Sequence, residues 1–123
     1  MNDSMRILIC EDNKLALKTI SVVLEREGFE SVTVENGNDA INLLKDNLYD
    51  MVIVDIHLPY HSGLELVEFL RSDLKRDTPV IIVTAFSDRQ MQHQAAGLGI
   101  DGYIVKPFNP MDLVKKIKTI LKN

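Results

Sequence analysis

Five residues able to do chemistry stand directly after short apolar runs. Glu11 and Asp12 follow Ile7–Cys10, Asp55 follows Met51–Val54, Thr84 closes "TPVIIVT", and Lys106 follows "GYIV". Gathered in one place, three carboxylates and one ammonium carry a net charge of −2. Crowded carboxylates raise one another's pKa and work against folding unless more positive charge joins them. A divalent cation brings the sum to zero. Oxygen donors with a partly open shell suit Mg²⁺, which keeps waters and shares its sphere with phosphate. A cation beside an aspartate and a lysine suits phosphoryl transfer. The two positive groups neutralise phosphoryl oxygens, the aspartate acts as nucleophile to give an acyl phosphate, and a threonine hydroxyl donates to the transferred group.

Each residue alone has a plainer use. Acids at strand ends also cap helices, and Asp12 or Asn13 suits the start of a first helix. A lone threonine fits a strand, and a lone lysine fits the surface. Asp55 is harder to set aside, because a charge that follows a buried apolar run needs a partner. The joint pattern, five polar groups at the ends of four runs, points to one site.

The elements that would position these residues alternate along the chain. The runs at 6–10, 31–35, 50–56, 78–85 and 102–107 read as strands, and those at 50–56 and 78–85 are apolar enough to be covered on both faces. Between and after them, helical spacing recurs. Leu17, Ile20, Val23 and Leu24 make the first helix, stopped by Gly28. Ala40, Ile41 and Leu44 make a second, capped by Asn36 or Asn38. The remaining helices span 63–74, 88–98 and 110–122. The helix at 88–98 is the weaker one, mostly polar, with Met91, Ala95 and Leu98 as its apolar anchors. Five strands and five helices in alternation predict a parallel sheet with helices on both faces, a doubly wound (βα)5 three-layer sandwich of flavodoxin-like type. Ligands of such sheets bind beyond the carboxyl ends of the strands, where the five residues stand.

Composition fits one compact domain: 123 residues, 46% of them hydrophobic, with a net charge of −4. A mildly acidic chain without a basic run gives no support for direct nucleic-acid binding or for attraction to an anionic membrane. The single cysteine, Cys10, cannot form an internal disulfide, which fits a reducing cytoplasm. It reads as a small buried hydrophobe. No stretch approaches the length of a membrane span, and "MNDSMR" lacks the apolar core of a signal peptide. His57 and His61 are four residues apart, but Pro59 lies between them, so a solvated loop is the expectation rather than a metal site. His93 reads as surface, and Met91 and Met111 as core filler.

With these residues placed, the chain resembles the receiver domain of two-component response regulators, the chemotaxis-regulator-like type. The resemblance runs from about Arg6 to Leu121, giving a single receiver domain over 1–123. It rests on Glu11–Asp12, on Asp55 in "VDIHLP", on Gly63 after "PYHS", on "VTA" at 83–85 and on "YIVKPF" at 103–108. Leu58 stands where methionine is frequent.

The resemblance implies a strand order of 2-1-3-4-5 and a role for each residue. Asp55 is the phosphoryl acceptor. Glu11 and Asp12 hold Mg²⁺ (or Mn²⁺) together with Asp55 and the backbone carbonyl of His57. Lys106 pairs with the acceptor and then with the phosphoryl group, after a Lys106–Pro107 bond expected to be cis. Thr84 is the switch hydroxyl, and Tyr103 is the aromatic that turns inward when Thr84 moves. His57 and Phe86 occupy positions that tune phosphoryl lifetime. The implied partners are a sensor histidine kinase or a histidine phosphotransfer protein, with a homodimer through the face formed by helix 4, strand 5 and helix 5. The implied setting is the cytoplasm. The implied role is a switch with self-catalysed phosphoryl transfer and autodephosphorylation rather than a metabolic enzyme.

Two rival readings remain. A haloacid dehalogenase-like phosphatase also uses an aspartyl phosphate, but it wants an aspartate where His57 stands. A flavodoxin-like binding module wants a loop of Ser, Thr and Gly to cradle phosphate, and "EDN" repels phosphate instead.

Overall fold

A computed structural model describes residues 5–85 and 89–122. The elements are β1 (Arg6–Cys10), α1 (Lys14–Arg26), β2 (Glu30–Val34), α2 (Gly37–Asp46), β3 (Met51–Val54), α3 (Gly63–Glu68) with a π turn (Phe69–Asp73), β4 (Val80–Thr84), α4 (Arg89–Gly97), β5 (Gly102–Val105) and α5 (Pro110–Leu121). All strand pairs are parallel, in the order β2-β1-β3-β4-β5. The doubly wound sandwich expected from the alternation is the fold observed.

The continuous apolar runs divide between two cores by the alternation of side chains along a strand. Leu8, Cys10, Val52, Val54, Val80 and Ile82 pack with residues of α2, α3 and α4, including Leu44, Leu66 and Ala95. Ile7, Ile9, Met51, Ile53, Ile81 and Val83 pack against α1 and α5 through Leu17, Ile20, Leu24, Leu113 and Ile117. The edge strand β2 buries only Val34. Cys10 lies wholly inside, where burial pushes its thiol far above the ordinary range and leaves it un-ionised.

Helix starts follow local chemistry. Asn13 caps α1 by accepting the Ala16 N–H, and Asn36 caps α2 by accepting the Asp39 N–H. Ser62 and Glu65 form a capping box at α3. Asn109 caps α5, with Pro110 in its first turn. One expectation is corrected: Met111 is 48% exposed rather than core, because it lies in the first turn of α5 on the side away from Leu113 and Ile117. Met91 does pack, partly buried, against the first core. His93 is exposed, and His61 sits 3.8 Å from Glu65 in a surface pair.

Candidate functional site: an acidic cluster at the carboxyl edge of the sheet

Register alone brings the polar residues together. Cys10 pairs with Val54, so Glu11 and Asp55 come next beyond adjacent strands. Thr84 pairs with Val105, so Lys106 emerges beside the end of β4. The backbone bonds continue past the strand ends: Glu11 N–H to Val34 O at 3.0 Å, Asp55 N–H to Cys10 O at 3.0 Å, and Lys106 N–H to Thr84 O at 2.8 Å. These bonds extend the sheet ladder to the backbone of Glu11, Asp55, Thr84 and Lys106.

The side chains then close on one another. Lys106 Nζ donates to Glu11 Oε1 at 2.6 Å and to Asp55 Oδ2 at 2.9 Å. Glu11 is only 2% exposed and Asp55 6%. Their other oxygens accept backbone N–H groups, Glu11 Oε2 from Asn13 and Asp55 Oδ1 from His57, each at 3.0 Å. Asp12 is exposed at the mouth. One carboxylate oxygen from each of Glu11, Asp12 and Asp55 lies within 4.8 Å of the others.

Burial pushes the Glu11 carboxyl above its ordinary value. The bonds from Lys106 and Asn13 pull it back, and the Asp55 charge adds to the rise. Burial pulls the Lys106 ammonium down, but its hydrogen bonds to Glu11 and Asp55 and their charges outweigh that and leave it above the usual lysine range. Both directions describe one condition: a buried acidic site short of positive charge, with Lys106 held charged inside it.

These donors fit a hard divalent cation. They are carboxylate oxygens with no sulfur or imidazole among them, they are clustered, and exposed Asp12 leaves one side open to water.

Two glycines fix the loop after Asp55. Gly63 N–H donates to Ile56 O at 2.8 Å, and a Cβ at Gly63 would run into the Asp55 carbonyl oxygen and lie 2.9 Å from Ile56 Cα. Gly37 N–H donates to Pro59 O at 3.0 Å, and a Cβ there would lie 2.6 Å from His61 Cβ. Gly63 belongs to the quoted motif; the part of Gly37 was not legible.

The other expected residues fall as follows. Thr84 is fully buried at the end of β4. Tyr103 packs against the first core, and among the described residues its buried hydroxyl has no hydrogen-bond partner. The His57 side chain is exposed while its N–H is used by Asp55. The Lys106–Pro107 peptide is cis. Phe86 lies outside the described residues. Sequence reasoning paired Lys106 with Asp55 but missed its shorter bond to Glu11. The charge deficit was the available signal.

Comparison with known proteins agrees with this geometry. The family model "Response regulator receiver domain" matches residues 7–118. The phosphate regulon transcriptional regulatory protein PhoB of Escherichia coli is 35% identical over 118 residues, covering 95% of this chain and 52% of that protein. The chain thus spans about half the length of the PhoB relatives it matches. The polar-differentiation response regulator DivK of Brucella anthropi is 34% identical over 116 residues, covering 94% of both chains. Among solved structures, a CheY-like receiver domain protein from Methanospirillum hungatei superposes with a TM-score of 0.92 at 31% identity, covering 98% of this chain and 95% of that one. The BeF3-activated DrrB receiver domain gives 0.89 at 29%, covering 98% and 100%. The chain belongs to the response regulator receiver domain family.

Proposed function

We propose that the chain is a phosphorylatable switch in which Asp55 takes a phosphoryl group from a sensor histidine kinase or a histidine phosphotransfer protein. One observation carries the reading: a single lysine reaches two buried carboxylates, Glu11 and Asp55, beside a third at the surface. An Asp55 carboxylate oxygen attacks the phosphorus, the bond to the donor nitrogen breaks, and an acyl phosphate remains. Glu11, Asp12, Asp55 and the His57 carbonyl would hold Mg²⁺ (or Mn²⁺), which when bound neutralises phosphoryl oxygens. Lys106 moves its hydrogen bonds from the carboxylates to the new phosphoryl oxygens, and the Thr84 hydroxyl donates to another.

The exchange adds about one negative charge and new acceptor oxygens at the sheet edge. Thr84 responds first, and Tyr103, in the neighbouring strand, follows its movement. The readout is the face formed by α4, β5 and α5. Val105, at the end of β5, is 45% exposed, and Met111, in the first turn of α5, is 48% exposed. Asp101, Lys115 and Lys116 line a shallow hollow between the start of β5 and α5. These features suit a partner or a second copy of the chain. Water returns the site to its resting state, with His57 and Phe86 setting the rate. Residues 6–121 make up one receiver unit, and its setting is the cytoplasm. No helix among the described residues is long and apolar enough to cross a membrane. The dehalogenase-like rival lacks its acid where His57 stands, and the flavodoxin-like rival lacks its cradle at "EDN".

The test is incubation with acetyl phosphate and Mg²⁺, read by intact mass. The wild type gains one phosphoryl increment, and chelation by EDTA or Asp55→Asn abolishes it. Labelling that persists in Asp55→Asn refutes the assignment. Thr84→Ala still labels, while its partner binding no longer depends on phosphorylation.

A further inference from the structure

One side chain holds the C-terminal end of α4. Arg71 lies in the π turn after α3, with only 17% of its side chain exposed. Its Nε donates to Leu98 O at 3.2 Å and its Nη2 to Gly99 O at 3.1 Å. Its Nη1 donates to Arg76 O at 3.0 Å and to Thr78 O at 2.8 Å. Nη2 also lies 3.9 Å from Asp101 Oδ1. A guanidinium offers five N–H donors in a rigid fork, and no other side chain can serve carbonyls of two separate segments in this way. The Leu98 and Gly99 carbonyls are at the negative end of α4, where a cation is favoured.

The same end is clamped to the sheet. Asp101 N–H donates to Val80 O at 2.8 Å, and its Oδ1 accepts the Val80 N–H at 3.0 Å. Val80 is the first residue of β4 and wholly buried. The π turn makes this reach compatible with packing. Closed by Leu74 N–H to Phe69 O at 3.0 Å, it keeps Leu70 in the core while presenting Arg71 to α4. α4 is polar, and Ala95, in its C-terminal half, is its fully buried residue. The other end of α4 begins at Arg89, five residues after Thr84 in the chain.

We propose that Arg71 is a positioning residue for the output: the fulcrum about which α4 tilts. The N-terminal end of the helix swings with Thr84, while the C-terminal end stays fixed to β4 and the α3–β4 connection. The inference rests on the phosphorylation reading above. Arg71 touches none of Glu11, Asp12, Asp55 or Lys106, so it acts on how the signal is displayed, not on how the site is filled.

Hydrogen exchange of the full chain, with and without beryllofluoride and Mg²⁺, tests this. In the wild type, amides at 89–93 respond to beryllofluoride and amides at 97–101 do not. In Arg71→Gln, amides at 97–101 exchange about tenfold or more faster, and the response spreads along all of α4. Arg71→Lys keeps the charge but loses the fork, and spreads the response in the same way. Half-saturation by beryllofluoride stays within about twofold in both variants, because the site is untouched. A uniform wild-type response along α4 overturns the proposal, and this arm needs no variant. A variant that frays but keeps the wild-type gradient also overturns it, because Arg71 is then only a structural tie. No response anywhere, including amides 11–13 and 55–57, would instead remove the phosphorylation reading, and the lever with it.

Discussion

Lys106→Met is predicted to bind Mg²⁺ more tightly than the wild type. In the structure the ammonium lies 2.6 Å from Glu11 Oε1 and 2.9 Å from Asp55 Oδ2, so it supplies the positive charge among the acids. Glu11 Oε2 is already engaged by the Asn13 N–H. A cation drawing on Glu11 therefore competes with Lys106 for Oε1. A hydrogen bond between charged groups is worth about 1.5–3 kcal/mol. Little of it is screened here, since Lys106 is 17% and Glu11 2% exposed. Removing the competitor should therefore lower the Kd for Mg²⁺ about 10- to 100-fold. Methionine keeps the apolar stem and removes only the charge. Without metal, the variant leaves Glu11 and Asp55 buried with no cation between them, so its urea midpoint falls and Mg²⁺ restores it. Isothermal calorimetry gives the affinity, and urea titration with and without Mg²⁺ gives the linkage. Equal or weaker Mg²⁺ binding by Lys106→Met would refute the competition and the charge balance built on it.

Three further outcomes follow from single contacts. Gly63→Ala should cost about 1–3 kcal/mol in urea unfolding, because its Cβ meets the backbone at Asp55 and Ile56 rather than a side chain that can turn away; a neutral result would show that this loop can shift. Tyr103→Phe should raise stability by about 1 kcal/mol, because it removes a buried hydroxyl that has no partner among the described residues; a loss of that size would show that the hydroxyl is satisfied. The Ser62 N–H, then its hydroxyl and His61, hold the Glu65 carboxyl below the usual carboxylate value. Its stabilisation is therefore full above the unfolded pKa and lost as pH falls through the depressed folded one. The urea midpoints of wild type and Glu65→Ala should differ at neutral pH and converge in acid, and a gap that stays constant with pH would contradict the capping account.

The fold was legible because its two central strands left little choice. "MVIVD" and "PVIIVT" are too apolar and too short for anything but strands covered on both sides, and each ends on a polar group. The first two helix starts were legible from their caps, although choosing Asn13 over Asp12 and Asn36 over Asn38 needed the backbone, and the caps Ser62 and Asn109 were not read. The edge strand was placed one residue late, since Glu30 pairs with Arg6 through the ladder rather than through any apolar pattern. Met111 misled because a methionine at a helix start carries no sign of which side it faces. The site residues were legible as types and places, and their burial was not. That Glu11 is more enclosed than Asp12 depends on which neighbour turns inward from the end of β1. The bond from Lys106 to Glu11 joins residues 95 positions apart. Arg71 left no signal, because it binds backbone carbonyls, which every residue has.

The central claim is that Asp55 is where phosphorus attaches, and locating the label tests it most directly. After acetyl phosphate and Mg²⁺, borohydride reduction converts an aspartyl phosphate to homoserine, which peptide mass spectrometry places in the sequence. The account predicts homoserine at position 55 and nowhere else, absent when Mg²⁺ is chelated. Homoserine at position 12, a label on Thr84 or a histidine, or no label at all would contradict it.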